Sequence, residues 1–117
     1  MADARVLRDL AQEVERLDAP CDDMDARIGR AIGLDIRPKG DWSGAPHFTA
    51  ALDAAAGLMP ERWFPEIVHR GNLWRVWGRP SSGICVFGHG TTEAVARTAC
   101  ALRALAADLE GTDAPTV

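Results

Sequence analysis

The sequence predicts an α+β fold, specifically an α-β-α sandwich in which helices pack on both faces of a small antiparallel three-stranded sheet. Apolar residues recur at helical spacing near both ends of the chain. Between these regions lie three short segments rich in aromatic and β-branched residues, separated by turns that contain Gly, Asn or Pro. Two of the segments, Trp74 to Trp77 and Ile84 to Phe87, carry bulky groups on both sides, which favours a sheet buried on both faces.

Composition predicts one domain followed by a short tail. The chain has 117 residues, of which 47% are hydrophobic and 26% are charged, and such values are typical of one globular domain. We expect the domain to cover residues 1–110 and residues 111–117 to form a flexible tail. The three cysteines are widely spaced, and the sequence shows neither a leader peptide nor a run of about 20 apolar residues. We therefore expect a soluble, cytoplasmic protein with reduced thiols and no membrane contact.

The first third of the chain predicts a helical hairpin over residues 5–33. An apolar stripe indicates a first helix from Ala4 to Leu17. Asp22 or Asp23 is placed to cap a second helix, which should end before Gly33. The next stretch, residues 34–47, contains repeated Gly and Pro and predicts a loop that Trp42 holds against the domain.

Residues 48–110 predict an α-β-β-β-α unit. Gly71-Asn72 suits a two-residue hairpin turn, because Gly tolerates the positive φ at the first central position of a type II′ turn. An open sheet has edges that must be covered or paired, so both a monomer and a homodimer fit the pattern. The predicted elements are a helix capped by Thr49, strands over 63–70, 73–79 and 82–87, and a last helix from Thr92 to about Leu109.

Three stretches of the sequence resemble a known family. They are His47-Phe48-Thr49-Ala50-Ala51-Leu52-Asp53-Ala54-Ala55, Pro60-Glu61-Arg62-Trp63 and Ala99-Cys100-Ala101-Leu102-Arg103-Ala104. With the order of elements over roughly residues 5–108, they are similar to the phage ABA sandwich domain, a family of small phage and prophage proteins. The chain departs from the frequent Thr-Pro of that family at Gly90-Thr91-Thr92-Glu93, where it keeps a capping threonine. The resemblance implies an α-β-α sandwich of phage or prophage origin.

Two clusters are candidate partner-binding sites. The first is the acidic junction between the two N-terminal helices, where capping of the second helix is the alternative explanation. The second is the predicted hairpin, where tryptophans and arginines alternate as they do in interface hot spots, and where core packing of the tryptophans is the alternative. A net charge of −4 argues against general nucleic-acid binding. The candidate residues are Asp22, Asp23 and Asp25 in the first cluster and Arg70, Trp74, Arg75, Trp77 and Arg79 in the second.

One turn could support chemistry. Gly88-His89-Gly90-Thr91-Thr92 leads from a predicted strand into a helix, and its N–H groups could receive an anion, with His89 and Cys85 nearby. A flexible strand-to-helix turn with a Thr cap needs the same residues for structural reasons. The sequence contains no Cys-x-x-Cys, no His-Glu-x-x-His and no Gly-x-x-x-x-Gly-Lys. We therefore predict no catalytic, metal-binding or cofactor-binding residue.

The resemblance implies a non-enzymatic phage or prophage accessory protein that acts by binding a host or phage macromolecule. Its sharpest form is an inhibitor of a host defence complex, in the manner of an anti-CRISPR protein. One alternative is a small-ligand-binding or hydrolytic domain that uses the Gly88 to Thr92 turn. Another alternative is a virion or packaging component.

Overall fold

The computed structural model describes residues 3–81 and 83–113, with only the backbone described for 111–113. These residues form four helices and one three-stranded antiparallel sheet, which confirms the predicted α+β class. The last helix continues past the predicted start of the tail at residue 111, and residues 114–117 lie outside the described part. The elements are α1 (Ala4–Glu15), α2 (Asp22–Ala31), α3 (Leu52–Leu58), β1 (Trp63–Arg70), β2 (Leu73–Pro80), β3 (Val86–Gly90) and α4 (Glu93–Asp113).

The N-terminal helical hairpin is confirmed. The side chain of Asp3 caps α1 by accepting a hydrogen bond from the Arg5 N–H. Arg27 of α2 donates two hydrogen bonds to the Glu13 carboxylate of α1, at 2.8 and 2.7 Å. This guanidinium lowers the pKa of Glu13 below its usual value. Gly33, with φ of 89°, follows the end of α2 as its position predicts.

Helix α4 is the middle layer of the molecule. On one side its Ala96 and Cys100 pack against Val76 of β2. On its other side it joins a core formed with the remaining helices, and a helix enclosed on two sides is apolar around most of its circumference. That core contains Leu7, Leu10, Ala11 and Val14 of α1, Met24 and Ile28 of α2, Phe48, Leu58 of α3, and Val95, Ala99, Ala101, Leu102 and Ala106 of α4.

The sheet has the order β1-β2-β3, and β1 and β2 form the predicted hairpin. Gly71 has φ of 58° in the turn, as the predicted hairpin turn requires. The third strand lies further along the chain than predicted, since it runs over Val86–Gly90 and not over 82–87. The apolar run that suggested the earlier position begins with Ile84, which is 88% exposed and outside the sheet.

The arrangement of the layers differs from the predicted sandwich. Helix α4 covers the face of β2 and β3 that carries Val76, Gly78 and Gly88. The opposite face of the sheet is exposed, and its side chains in β2 and β3 alternate with the buried ones. A sheet with one covered face therefore replaces the sheet buried on both faces that bulky residues on both sides suggested.

Two loop positions also differ from their predicted roles. Thr49 does not cap α3, which begins at Leu52. Its N–H donates to Asp25 at 2.9 Å, and its hydroxyl accepts from the Cys21 N–H at 2.9 Å. Trp42 holds its own loop together, because its indole N–H donates to the Ala45 carbonyl at 3.0 Å and its ring stacks on a neighbouring histidine.

Candidate functional site

On the exposed face of the sheet, called here the outer face, apolar and basic side chains alternate. Antiparallel pairing places directly opposed residues on the same face, so the register defines its members. Phe64 is 62% exposed, and the other apolar members are also exposed. The outer face consists of Phe64, Glu66, Val68 and Arg70 of β1, Leu73, Arg75, Trp77 and Arg79 of β2, and Phe87 and His89 of β3.

Trp77 occupies the middle of the outer face. Its ring meets the ring of Phe87 edge to face, with centroids 5.2 Å apart, and Glu66 lies opposite it on β1. An edge-to-face pair holds both rings in one orientation, which lowers the entropy that a partner would have to restrict. The centre of the outer face is therefore a preorganised aromatic group.

The charge of the outer face is opposite to that of the whole chain. Arg70, Arg75 and Arg79 all lie on it, and its one carboxylate, Glu66, accepts from Arg79 at 3.0 Å. The face therefore carries an excess of positive charge on a protein whose net charge is −4. A ligand of this face would meet an apolar centre with arginines around it.

Trp74 is separated from the other predicted residues of the hairpin. It lies on the covered face, opposite His69, and the two rings stack with centroids 3.9 Å apart and planes 8° from parallel. Residues that alternate along a strand point to opposite faces. The predicted cluster of Trp74 with Trp77 is therefore divided between the two faces, whereas Arg70, Arg75, Trp77 and Arg79 are brought together.

Sequence reasoning missed the apolar half of the outer face. Phe64, Val68 and Phe87 pair across the sheet with Arg79, Arg75 and Trp77, respectively. The sequence could have placed the β1 residues on this face. The predicted hairpin turn fixes which residues of β1 lie opposite those of β2, and the two-residue period of a strand then assigns each to a face. No comparable signal existed for Phe87, since the third strand was predicted at the wrong position.

The acidic junction divides into structural and exposed members. The Asp22 carboxylate accepts from the Ser43 N–H at 2.8 Å and from the Ser43 hydroxyl at 2.7 Å, which ties the following loop to α2. Asp25 is 2% exposed and accepts from the Thr49 N–H, so it cannot contact a partner on the surface. Of the three predicted residues, Asp23 is the exposed one.

Asp25 makes stability depend on pH in a defined direction. Burial raises the pKa of its carboxyl above the usual value, against the opposing effect of the Thr49 N–H. The folded protein therefore holds this proton at pH values where the unfolded chain has released it, and stability falls as pH rises from about 4 through the folded pKa. We expect Asp25→Asn, which cannot ionise, to remove this fall while keeping an oxygen that accepts from Thr49.

The measurement is the melting temperature of both proteins between about pH 4 and pH 7. Relative to Asp25→Asn, the wild type should become less stable as the pH rises. Asp23→Asn, on the exposed side of the same helix, should follow the wild-type profile. Parallel profiles for wild type and Asp25→Asn would contradict the assignment.

The Gly88 to Thr92 turn has a structural explanation. Gly88 and Gly90 belong to β3, and an added Cβ at Gly88 would collide with the α4 backbone at Ala96 and Cys100. The Thr92 hydroxyl accepts from the Val95 N–H at 3.2 Å and so caps α4. Close packing and capping thus account for the residues that suggested an anion site.

Of the side chains near this turn, His89 and Cys100 are engaged, and Cys85 is a partly buried free thiol. His89 Nδ1 lies 3.0 Å from the Glu15 carboxylate, which Arg103 also binds, with 2.7 Å between Nη2 and Oε1. Burial raises the pKa of the Cys100 thiol to about 12, so it is protonated and unreactive at neutral pH. Among the side chains of residues 3–81 and 83–110, no group of three or more from His, Cys, Asp and Glu could hold a metal ion.

Comparisons with known proteins add no relative. No family model, curated protein or solved structure matches the chain. The resemblance to the phage ABA sandwich domain therefore stays a prediction. No helix in the described part of the chain is both long enough and apolar enough to cross a bilayer.

Proposed function

We propose that this protein is a non-enzymatic binding protein that engages a protein partner through the outer face of its sheet. The observation that carries the proposal is the exposure of Phe64, Trp77 and Phe87 on a face shared with three arginines. Tryptophan and arginine are enriched among the residues that dominate binding energy at protein interfaces. Large apolar groups left exposed together commonly mark an interaction site.

The side chains favour a protein over a single-stranded nucleic acid. Nucleic-acid platforms offer flat aromatic rings on which bases stack. Here the Trp77 and Phe87 rings meet at 78°, and the remaining apolar area includes the aliphatic Val68 and Leu73. A surface of this kind suits an apolar protein patch, and its arginines suit acidic residues at the rim of that patch.

The class of partner comes from the resemblance alone. On that resemblance, the partner is a host or phage protein in the bacterial cytoplasm. Inhibition of a host defence complex remains the sharpest form of the proposal, since an inhibitor requires only a surface that occupies its target. The proposal is binding without turnover, since close packing at Gly88 and capping by Thr92 explain the turn without a catalytic role.

The test is a pull-down from bacterial lysate treated with nuclease, using the tagged wild type and Arg75→Glu. We expect the wild type to capture one protein in stoichiometric amount, and Arg75→Glu to lose it because the substitution reverses a charge on the outer face. Arg30→Glu is the matched control, since it makes the same change on an exposed arginine of α2. It should capture the partner as the wild type does.

Two results would contradict the proposal. In one, Arg75→Glu and the wild type capture the same protein in equal amounts, which would place the interface elsewhere. In the other, the wild type retains a nucleic acid in lysate that was not treated with nuclease, and no protein remains after treatment. That result would favour the nucleic-acid class.

A further inference from the structure

The two edge strands of the sheet differ in whether side chains bind their outward backbone groups. At the β3 edge, the His89 N–H donates to the Glu15 carboxylate at 3.1 Å, and the Phe87 carbonyl accepts from Arg103 at 2.9 Å. Side chains of α1 and α4 thus occupy the backbone groups of β3 that face away from β2. At the β1 edge, α4 contacts the first residue, Trp63, whose indole N–H donates to Asp108, and every residue of β1 after Trp63 is exposed.

The hydrogen-bonding pattern identifies the free backbone groups of β1. The backbone groups of His89 and Phe87 point away from β2. In an antiparallel ladder, the backbone groups of their partners Arg75 and Trp77 therefore point toward β1. The Ser81 N–H donates to the Arg62 carbonyl at 3.1 Å, which fits the same alternation. Pro65, Ile67 and His69 therefore direct their backbone groups outward.

Pro65 limits which part of this edge can pair. Proline has no N–H to donate, and its position on the outward side of an edge strand is the place where a sheet tolerates it. A strand added to β1 would lose a donor at Pro65 but would find both N–H and C=O at Ile67 and His69. The usable edge is therefore the segment from Glu66 to Arg70.

We propose that a second copy of this chain pairs with β1 across this edge, antiparallel and centred on Val68. In that register Ile67 lies opposite His69 of the second copy, so all the groups that bond are outward-facing ones. Glu66, whose carboxylate also accepts from Arg79 of its own chain, lies opposite Arg70 of the second copy, and the two-fold axis repeats this pair. Opposite charges directly across a strand pair stabilise it, and like charges destabilise it.

Two other registers form fewer backbone hydrogen bonds or place like charges against each other. A pairing centred on Ile67 places Pro65 opposite His69 of the second copy and loses a donor on each side. A pairing centred on Glu66 places two carboxylates against each other. Of these three registers, only the one centred on Val68 keeps its donors and also places opposite charges against each other. The complementarity of Glu66 with Arg70 favours a second copy of this chain as the occupant.

The resulting dimer has one continuous six-stranded sheet. The two Val68 residues lie opposite each other at the two-fold axis, so the two outer faces join into one surface with two Trp77 rings. This inference does not depend on the proposed function, because it concerns pairing of the purified chain with itself. The purified chain can therefore form the dimer even if no other protein binds the outer face, and it can bind another protein even if it does not form the dimer. The two experiments distinguish these cases.

The test exchanges the charges of the pair. Sedimentation equilibrium of the purified wild type at about 0.5 mM, a concentration suited to a small interface, should give twice the 12.6 kDa mass of the chain. Glu66→Arg places Arg against Arg, and Arg70→Glu places Glu against Glu. We expect each variant alone to sediment as a monomer, with the circular dichroism spectrum of the wild type.

An equal mixture of the two variants is the decisive sample. Every cross-strand pair in the mixed dimer again joins opposite charges, so the mixture should recover the dimer mass. Glu61→Arg, an exposed residue before β1, is the control and should stay dimeric. A monomeric wild type at this concentration, dimeric single variants or a mixture that stays monomeric would each overturn the inference.

Discussion

Trp77→Ala is expected to weaken binding of the captured partner by at least about 30-fold, the effect of removing a residue that dominates an interface. The ring lies at the centre of the outer face and is held by Phe87. Its removal takes away the largest side chain of that face together with the edge-to-face pair that orients Phe87. Because Trp77 is only 37% exposed, the substitution should also lower the free energy of unfolding by about 2 kcal/mol, from lost apolar burial and from the lost aromatic pair. Titration calorimetry with the purified partner measures the affinity.

Trp42→Ala is the matched control for this loss. Trp42 is 39% exposed, nearly the same as Trp77, but it lies in the loop after α2. It should bind the partner with wild-type affinity. The interpretation of the outer face would be contradicted if Trp77→Ala kept wild-type affinity, or if Trp42→Ala lost as much.

Gly88→Ala is expected to lower the free energy of unfolding by about 3 kcal/mol, at the upper end of the usual cost of overpacking. An added Cβ would meet the Ala96 carbonyl and the Cys100 N–H, which are backbone atoms of α4 that cannot rotate away. The helix would have to move off the sheet, and its contacts with Val76 would loosen. Urea unfolding followed by circular dichroism measures the change.

Gly57→Ala provides the comparison. Gly57 lies in α3, and no atom lies within 4 Å of an added Cβ there. Because alanine favours the helix, stability should stay the same or rise by up to about 1 kcal/mol. Equal effects of the two substitutions would mean that β3 and α4 are not in close contact at Gly88.

The predictable parts of this fold are those that local sequence determines. The apolar stripe of α1, Gly33 after α2 and the Gly71-Asn72 turn each specify a feature within a few residues. The third strand could not be placed in this way. Its Gly88 and Gly90 have low strand propensity, and they are in the sheet because α4 packs too closely to admit a side chain.

The candidate surface was only half predictable for a similar reason. Alternation places Trp74 and Trp77 on opposite faces, but it does not say which face a helix covers. That choice depends on small residues at Gly78 and Gly88, which let α4 approach one side only. Asp25 is buried where the N–H of Thr49, 24 residues along the chain, donates to its carboxylate and offsets the cost of burial, and no local pattern contains that contact.

The indole N–H signals of the four tryptophans test the central claim most directly. They would be recorded by nuclear magnetic resonance on ¹⁵N-labelled protein while the captured partner is added. We predict that the Trp77 signal shifts or broadens, because its ring lies on the outer face. The signals of Trp42 in its loop and of Trp63, which donates to Asp108, should stay in place. A response at Trp42 or Trp63 with an unchanged Trp77 signal would contradict the outer face as the binding surface.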